Sequence, residues 1–136
     1  MKLEVRLLNE NDYDEILVKW WKDWSWEAPL KDFLPNNGTG GIIVFDGEEP
    51  VCAGFVYLTN SKAAWVDWII SSKTYKKKPN RKEAIKLLVE SLTKMSEELG
   101  AKYLYALIKH KGLIKTYKDS GYIQGDSYST EMIKKL

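Results

Sequence analysis

Three β-rich runs, Gly41 to Phe45, Pro50 to Asn60 and Ala63 to Ser71, lie one turn apart and lead into the longest helical pattern of the chain. Asp46-Gly47 supplies the positive φ angles of a tight hairpin turn, and Thr59 to Lys62 makes the second turn. An antiparallel meander is therefore expected in the middle of the chain. In its third strand, alternation puts Trp65, Asp67 and Ile69 on one face and Val66, Trp68 and Ile70 on the other. After a loop over 72–80 comes the helix. Asn80 and Glu83 have capping-box spacing, Ala84, Ile85, Leu88, Leu92, Met95 and Leu99 repeat with helical period, and Gly100 takes the C′ position. A helix start at the end of a buried strand favours an anion, because its free N–H groups converge there.

The flanks complete the order. Met1 to Leu8 alternates as a strand. Asp12 and Glu15 have capping spacing before a helix to about Trp24, with Tyr13, Ile16, Leu17, Trp20 and Trp24 on its apolar face. Pro29, Pro35, Gly38, Gly40 and Gly41 leave at most a short helical piece around Leu30 to Leu34. Beyond Gly100, Lys102 to Lys109 reads as a strand and Gly112 to Asp119 as a short helix ended by Gly121. Tyr122 to Gln124 and Thr130 to Ile133 read as closing strands. With 136 residues, 44% of them hydrophobic, and no repeat or linker, one domain over 1–136 is expected.

Composition excludes several classes. The lone Cys52 cannot build a disulfide framework or a cysteine zinc site, and no metal site is expected. No apolar run reaches membrane-spanning length and no secretion signal is visible, so the expected compartment is the cytosol, with no membrane partner. Oligomeric state stays open between monomer and homodimer. Charge is uneven: residues 1–72 hold 6 Lys+Arg against 12 Asp+Glu, net −6, and residues 73–136 hold 15 against 7, net +8. Anions should prefer the second half.

That half opens with Lys73, Lys76, Lys77, Lys78, Arg81 and Lys82. The cluster suits polyphosphate or nucleic acid, and equally a solvated loop. Its position beside a helix N-terminus favours an anion, while Glu83 in the first turn opposes one unless it turns back to cap Asn80. Four tryptophans fall within seven residues, 20–26. Trp20 and Trp24 belong to the core stripe. Trp21 and Trp26 lie off it, and either line a groove with Asp23 and Glu27 or serve as a packing junction.

Leu113-Ile114-Lys115-Thr116-Tyr117-Lys118-Asp119-Ser120-Gly121-Tyr122 resembles the aliphatic-Tyr-Glu-Lys-Leu-Gly-Phe segment of the GCN5-related N-acetyltransferases, with Tyr117, Gly121 and Tyr122 at the Tyr, Gly and Phe positions. The element order resembles that family too. It implies an α/β fold with a mixed, mostly antiparallel central sheet and helices on both faces. The family's Gln/Arg-x-x-Gly-x-Gly/Ala loop falls here on Pro79 to Ala84, where only Ala84 matches and no glycine is present. Tyr75-Lys76 stands where a Tyr-Arg usually opens that loop, making it three residues longer. Acetyltransferase-like proteins of phage type resemble this chain in that variation.

The resemblance implies transfer of an acetyl group from acetyl-coenzyme A to an amine, small-molecule or macromolecular. It implies cofactor contacts from the strand end Ile69, Ile70 and Ser71, with an oxyanion-stabilising amide near Ile70. It also implies them from Lys76, Lys77, Lys78, Asn80, Arg81, Lys82 and Ala84 at the helix start, and from His110, which can alternatively act as base. Tyr117 takes the family's general-acid place. Asp67, a charge within an apolar strand, is the candidate base. Trp21, Asp23, Trp26 and Glu27 form an expected acceptor wall. The alternative is a non-catalytic module of the same fold whose basic loop holds nucleic acid or a protein partner.

Overall fold

The computed structural model describes residues 2–75, 78–127 and 130–136. Five strands, β1 (Leu3–Leu7), β2 (Gly41–Asp46), β3 (Glu49–Leu58), β4 (Ala63–Ser71) and β5 (Tyr103–Tyr105), form one sheet in that order. The first four pair antiparallel, and β5 joins β4 in parallel. Helix α2 (Arg81–Glu98) and helix α3 (Lys111–Asp119) cover one face, where Val44, Val56, Ala64, Val66, Leu88 and Leu92 are buried together. Helix α1 (Val18–Asp23), preceded by a π-helical turn at Tyr13–Leu17, covers the other face through Leu17, Trp20 and Trp21 against Ile43, Phe55 and Ile70. Two short 3-10 turns, Lys31–Phe33 and Pro35–Gly38, fill the Pro/Gly segment. No helix among the described residues is long and apolar enough to cross a membrane.

The meander and the helices stand where patterning predicts them, and the exceptions have local causes. Neither predicted capping box forms. Asp12 is buried and turned instead to Arg6, whose two terminal nitrogens donate to its carboxylate at 2.7 and 2.9 Å, while Asn9 N–H donates at 2.7 Å. Asn80 adopts φ −90° and ψ 0°, a helical rather than an extended cap conformation, so its side chain does not reach back over the first turn. Gly100 and Gly121, at φ +99° and +95°, do end α2 and α3 as glycine C′ residues.

The alternation expected along β4 breaks at Trp68. Phe55 pairs with Asp67 but Ala53 pairs with Ile70, so Trp68 and Ile69 both stand opposite Gly54, and Trp68 takes φ +57°. This is a β-bulge with one residue in the left-handed region. It moves Ile69 onto the α2 face with Val66, and leaves Trp68 and Ile70 on the α1 face. Gly54 is required opposite it: a Cβ there would come within 2.5 Å of Ile69 Cδ1 and 2.7 Å of Leu92 Cδ1.

The strand expected at 102–109 stops at Tyr105. Beyond the Trp65–Tyr105 pair, β4 and the chain after β5 diverge, and Leu107 N–H donates to the Asp67 carboxylate at 3.2 Å instead of to a strand carbonyl. The closing strands expected at Tyr122–Gln124 and Thr130–Ile133 are absent: these residues have no strand pairing, and β5, three residues long, gives them little edge to join.

Candidate active site

The divergence of β4 from the chain after β5 opens a cleft of about 1260 Å³ that passes from one face of the sheet to the other. Bulged β4 forms its floor with Asp67, Trp68, Ile69, Ile70 and Ser71. The α1 face supplies Trp24, Trp26, Phe33 and Tyr57; the α2–α3 face supplies Arg81, Lys82, Ile85, Lys109, His110 and Lys115. One side of the opening is therefore aromatic and the other cationic.

Asp67 stands at the junction. One carboxylate oxygen accepts Trp68 N–H at 3.0 Å, and the other accepts Leu107 N–H. Burial raises its pKa above the ordinary carboxylate range, against the lowering effect of those two N–H groups. Tyr57 lies opposite Trp65 on the same face, and its phenol, raised first by burial and then by the Asp67 charge, donates to Phe33 O at 3.2 Å.

At the far end of β4, a terminal nitrogen of Arg81 donates to Ser71 Oγ at 3.0 Å, while the Arg81 Nε is buried without a hydrogen-bond partner among the described residues. Trp24 Nε1–H donates to Ser71 O at 2.7 Å, fixing the aromatic wall to the same strand end. Helix α1 ends beside it with Ser25 at φ +62°. Trp26 N–H then bonds Trp21 O at 2.9 Å, and the Trp26 ring stacks on Trp24 at 5.6 Å and 18°.

The remaining loop cations go elsewhere. Lys73 donates to Asp23 O at 3.2 Å and lies over the Trp24 ring, whereas Lys78 lies 3.8 Å from Glu49 and over Tyr75, away from the cleft. Lys76 and Lys77 fall outside the described residues. Tyr75 is buried and donates to Asp46 at 2.6 Å, which ties the loop to the β2–β3 turn. Asn80 does not line the cleft, and Ala84 is fully buried in the core.

Ile69, Ile70, Ser71, Arg81, Lys82 and His110 line one cleft with Asp67. Tyr117 does not join them. Its side chain is buried under β4, where the hydroxyl donates to Val66 O at 2.8 Å, and burial first, with the Asp67 charge second, pushes its pKa up.

The expected acceptor wall needs correction. Trp21 is buried against Tyr13 and Trp68, because it stands four residues after Leu17 and shares the core stripe with it. Asp23 pairs with Lys19 at 2.8 Å, and neither Asp23 nor the exposed Glu27 lines the cleft. Of the four, only Trp26 does. Trp24, Phe33, Tyr57, Trp65 and Trp68 take the other places. The pairing of Tyr57 with Trp65 follows from the hairpin register, so that part of the wall had a signal in the sequence. Among the described residues no group of three or more His, Cys, Asp or Glu side chains is placed to hold a metal ion.

By sequence, no protein-family model and no curated protein matches the chain. By structure it is similar to a GNAT family acetyltransferase of Staphylococcus aureus, with TM-score 0.62 and 18% identity over 98% of this chain and 100% of that one. It is similar to the glucosamine-6-phosphate N-acetyltransferase of Arabidopsis thaliana, with TM-score 0.66 and 8% identity over 98% and 100%. It also resembles AAC(6')-Iy, solved in complex with the bisubstrate analogue CoA-S-monomethyl-acetylneamine, with TM-score 0.67 and 10% identity over 98% and 99%. A five-stranded, mostly antiparallel sheet opened between β4 and β5 and matched over nearly its whole length to these structures has the fold of the GCN5-related N-acetyltransferases.

Proposed function

We propose that the chain, as one domain, is an N-acetyltransferase that uses acetyl-coenzyme A and an amine. The observation that carries this reading is that one cleft brings together Asp67, an open edge of β4 and, at the start of α2, the buried Arg81 Nε without a hydrogen-bond partner among the described residues. The fit to coenzyme A rests on two features. Past Trp65, β4 has no backbone partner on its β5 side among the described residues, so an amide-bearing arm can add there like a strand. At the end of that edge the buried Arg81 Nε lacks an acceptor, and with Lys82 it stands at the α2 N-terminus, where a diphosphate gains from both charge and helix dipole. The same diphosphate-linked arm is carried by the analogue bound to AAC(6')-Iy.

Bound there, the thioester supplies an acyl carbon: amine attack forms the C–N bond and breaks C–S, and the departing thiolate, with a conjugate-acid pKa of about 8.5, takes its proton from solvent. Asp67 accepts the proton that the attacking amine gives up. Its raised pKa brings it closer to that task than an ordinary carboxylate. The backbone N–H near Ile70 stabilises the oxygen on which negative charge develops. Tyr117 serves as a positioning residue, holding the Val66 carbonyl beside Asp67. His110, at the N-cap of α3, borders the arm.

Release of free thiol from acetyl-coenzyme A, followed over a panel of amines, tests the proposal. Amine-dependent release is expected from the native protein and a loss of about 100-fold from Asp67→Asn. Equal release from both proteins excludes Asp67 as base, and none from either across the panel leaves a binding module of the same fold.

A further inference from the structure

Resting on the transferase reading, we infer that the acceptor carries one cationic nitrogen on a flat aromatic body. The α1 half of the cleft is built from aromatic rings. Trp24 and Trp26 stack parallel, and Phe33 meets Trp68 edge-on at 5.5 Å and 78°. Tyr57 and Trp65 form a cross-strand pair, and Asp67 follows Trp65 by two residues on that same face. Trp26 is 56% and Phe33 45% exposed, so this half presents open apolar surface that a flat body would cover. A nitrogen held at Asp67 then faces the open β4 edge, with its body against the Trp24–Trp26 stack and Phe33.

Charge decides against a polycation. The carboxylates lining the cleft among the described residues are Asp67 and Glu131, whereas Arg81, Lys82, Lys109 and Lys115 are cations on its other half. In the protein without coenzyme A, a ligand with three or four ammonium groups would meet more positive than negative charge. One ammonium meets Asp67 and the faces of electron-rich rings, both attractive. The acceptor class is therefore an arylalkylamine.

The test uses intrinsic tryptophan fluorescence and calorimetry with 2-phenylethylamine, spermidine and 2-phenylethanol, each with and without coenzyme A. Phenylethylamine is expected to saturate at concentrations at least tenfold below spermidine and fivefold below phenylethanol. Trp26→Ala and Phe33→Ala should each weaken it several-fold while coenzyme A affinity stays unchanged. Spermidine binding as tightly, affinity unmoved in both variants, or no saturation by phenylethylamine in either cofactor state overturns the inference. Coenzyme A binding in the same samples reports separately on the transferase reading. Arylalkylamine saturation without it keeps the aromatic site and removes the transferase. Coenzyme A binding with preferred transfer to spermidine does the reverse.

Discussion

The hydroxyl of Tyr117 donates a 2.8 Å hydrogen bond to the carbonyl oxygen of Val66, the residue immediately before Asp67. A phenol engaged in this way supports the strand that carries the candidate base and leaves the cleft to other groups. Tyr117→Phe removes the donor and leaves the buried Val66 carbonyl unsatisfied, at about 1–2 kcal/mol. The expected outcome is a lower urea midpoint, with kcat reduced less than tenfold. A variant of native stability with kcat lowered 100-fold or more would instead make Tyr117 the proton donor.

The pH profile follows from Asp67. Burial favours its protonated form, so the folded pKa lies above the ordinary value of 3.8, and the ionised form needed to take a proton fills only as pH rises through that higher value. The kcat/KM of the native protein should fall on the acid side with an apparent pKa above 3.8, and Asp67→Asn should lack that limb. In stability the sign reverses. The ionised, half-buried carboxylate is a cost above its pKa, so Asp67→Asn should be relatively more stable at pH 8 than at pH 4, compared by urea unfolding at the two pH values.

Asp12 tests the opposite case. Burial alone would raise its carboxyl, but the Arg6 hydrogen bonds, the Asn9 N–H and the Arg6 charge outweigh burial and hold it below the ordinary range. Stability from this group is fully present above the unfolded value near 3.8 and is lost as pH falls through the lower folded value. Asp12→Asn should cost about 2 kcal/mol at pH 7, and the gap to the native protein should narrow below pH 3. A gap that stays constant with pH would mean that packing, not the ion pair, holds this corner.

Arg81 is the anion contact with the most to gain. Its Nε is buried and unpartnered, so a diphosphate oxygen offered to it satisfies a group already desolvated. Arg81→Gln should weaken coenzyme A about tenfold, and by less at high salt than at low, read from thermal shift against ligand concentration. Unchanged affinity would move the diphosphate elsewhere.

Much of this was legible from residue order. The Asp46-Gly47 hairpin, the meander and the α2 stripe follow from turn chemistry and period, and they put Asp67 and Ser71 on one strand that leads into the helix opened by Arg81, while a site shared by the three was implied only by the family resemblance. What escaped depends on long-range fit. The Trp68 bulge sets Ile69 and Leu92 against Gly54, a contact between distant segments. Tyr117 matches the motif spacing, yet where its hydroxyl points is set by the separation of α3 from β4. Trp21 shows a readable signal misassigned, since its four-residue spacing from Leu17 already puts it on the buried face.

The most direct measurement is a calorimetric titration of coenzyme A into the protein. One saturable site is expected, with a micromolar dissociation constant that weakens as salt rises. No heat and no thermal stabilisation at millimolar ligand would mean that the cleft does not hold the acyl carrier.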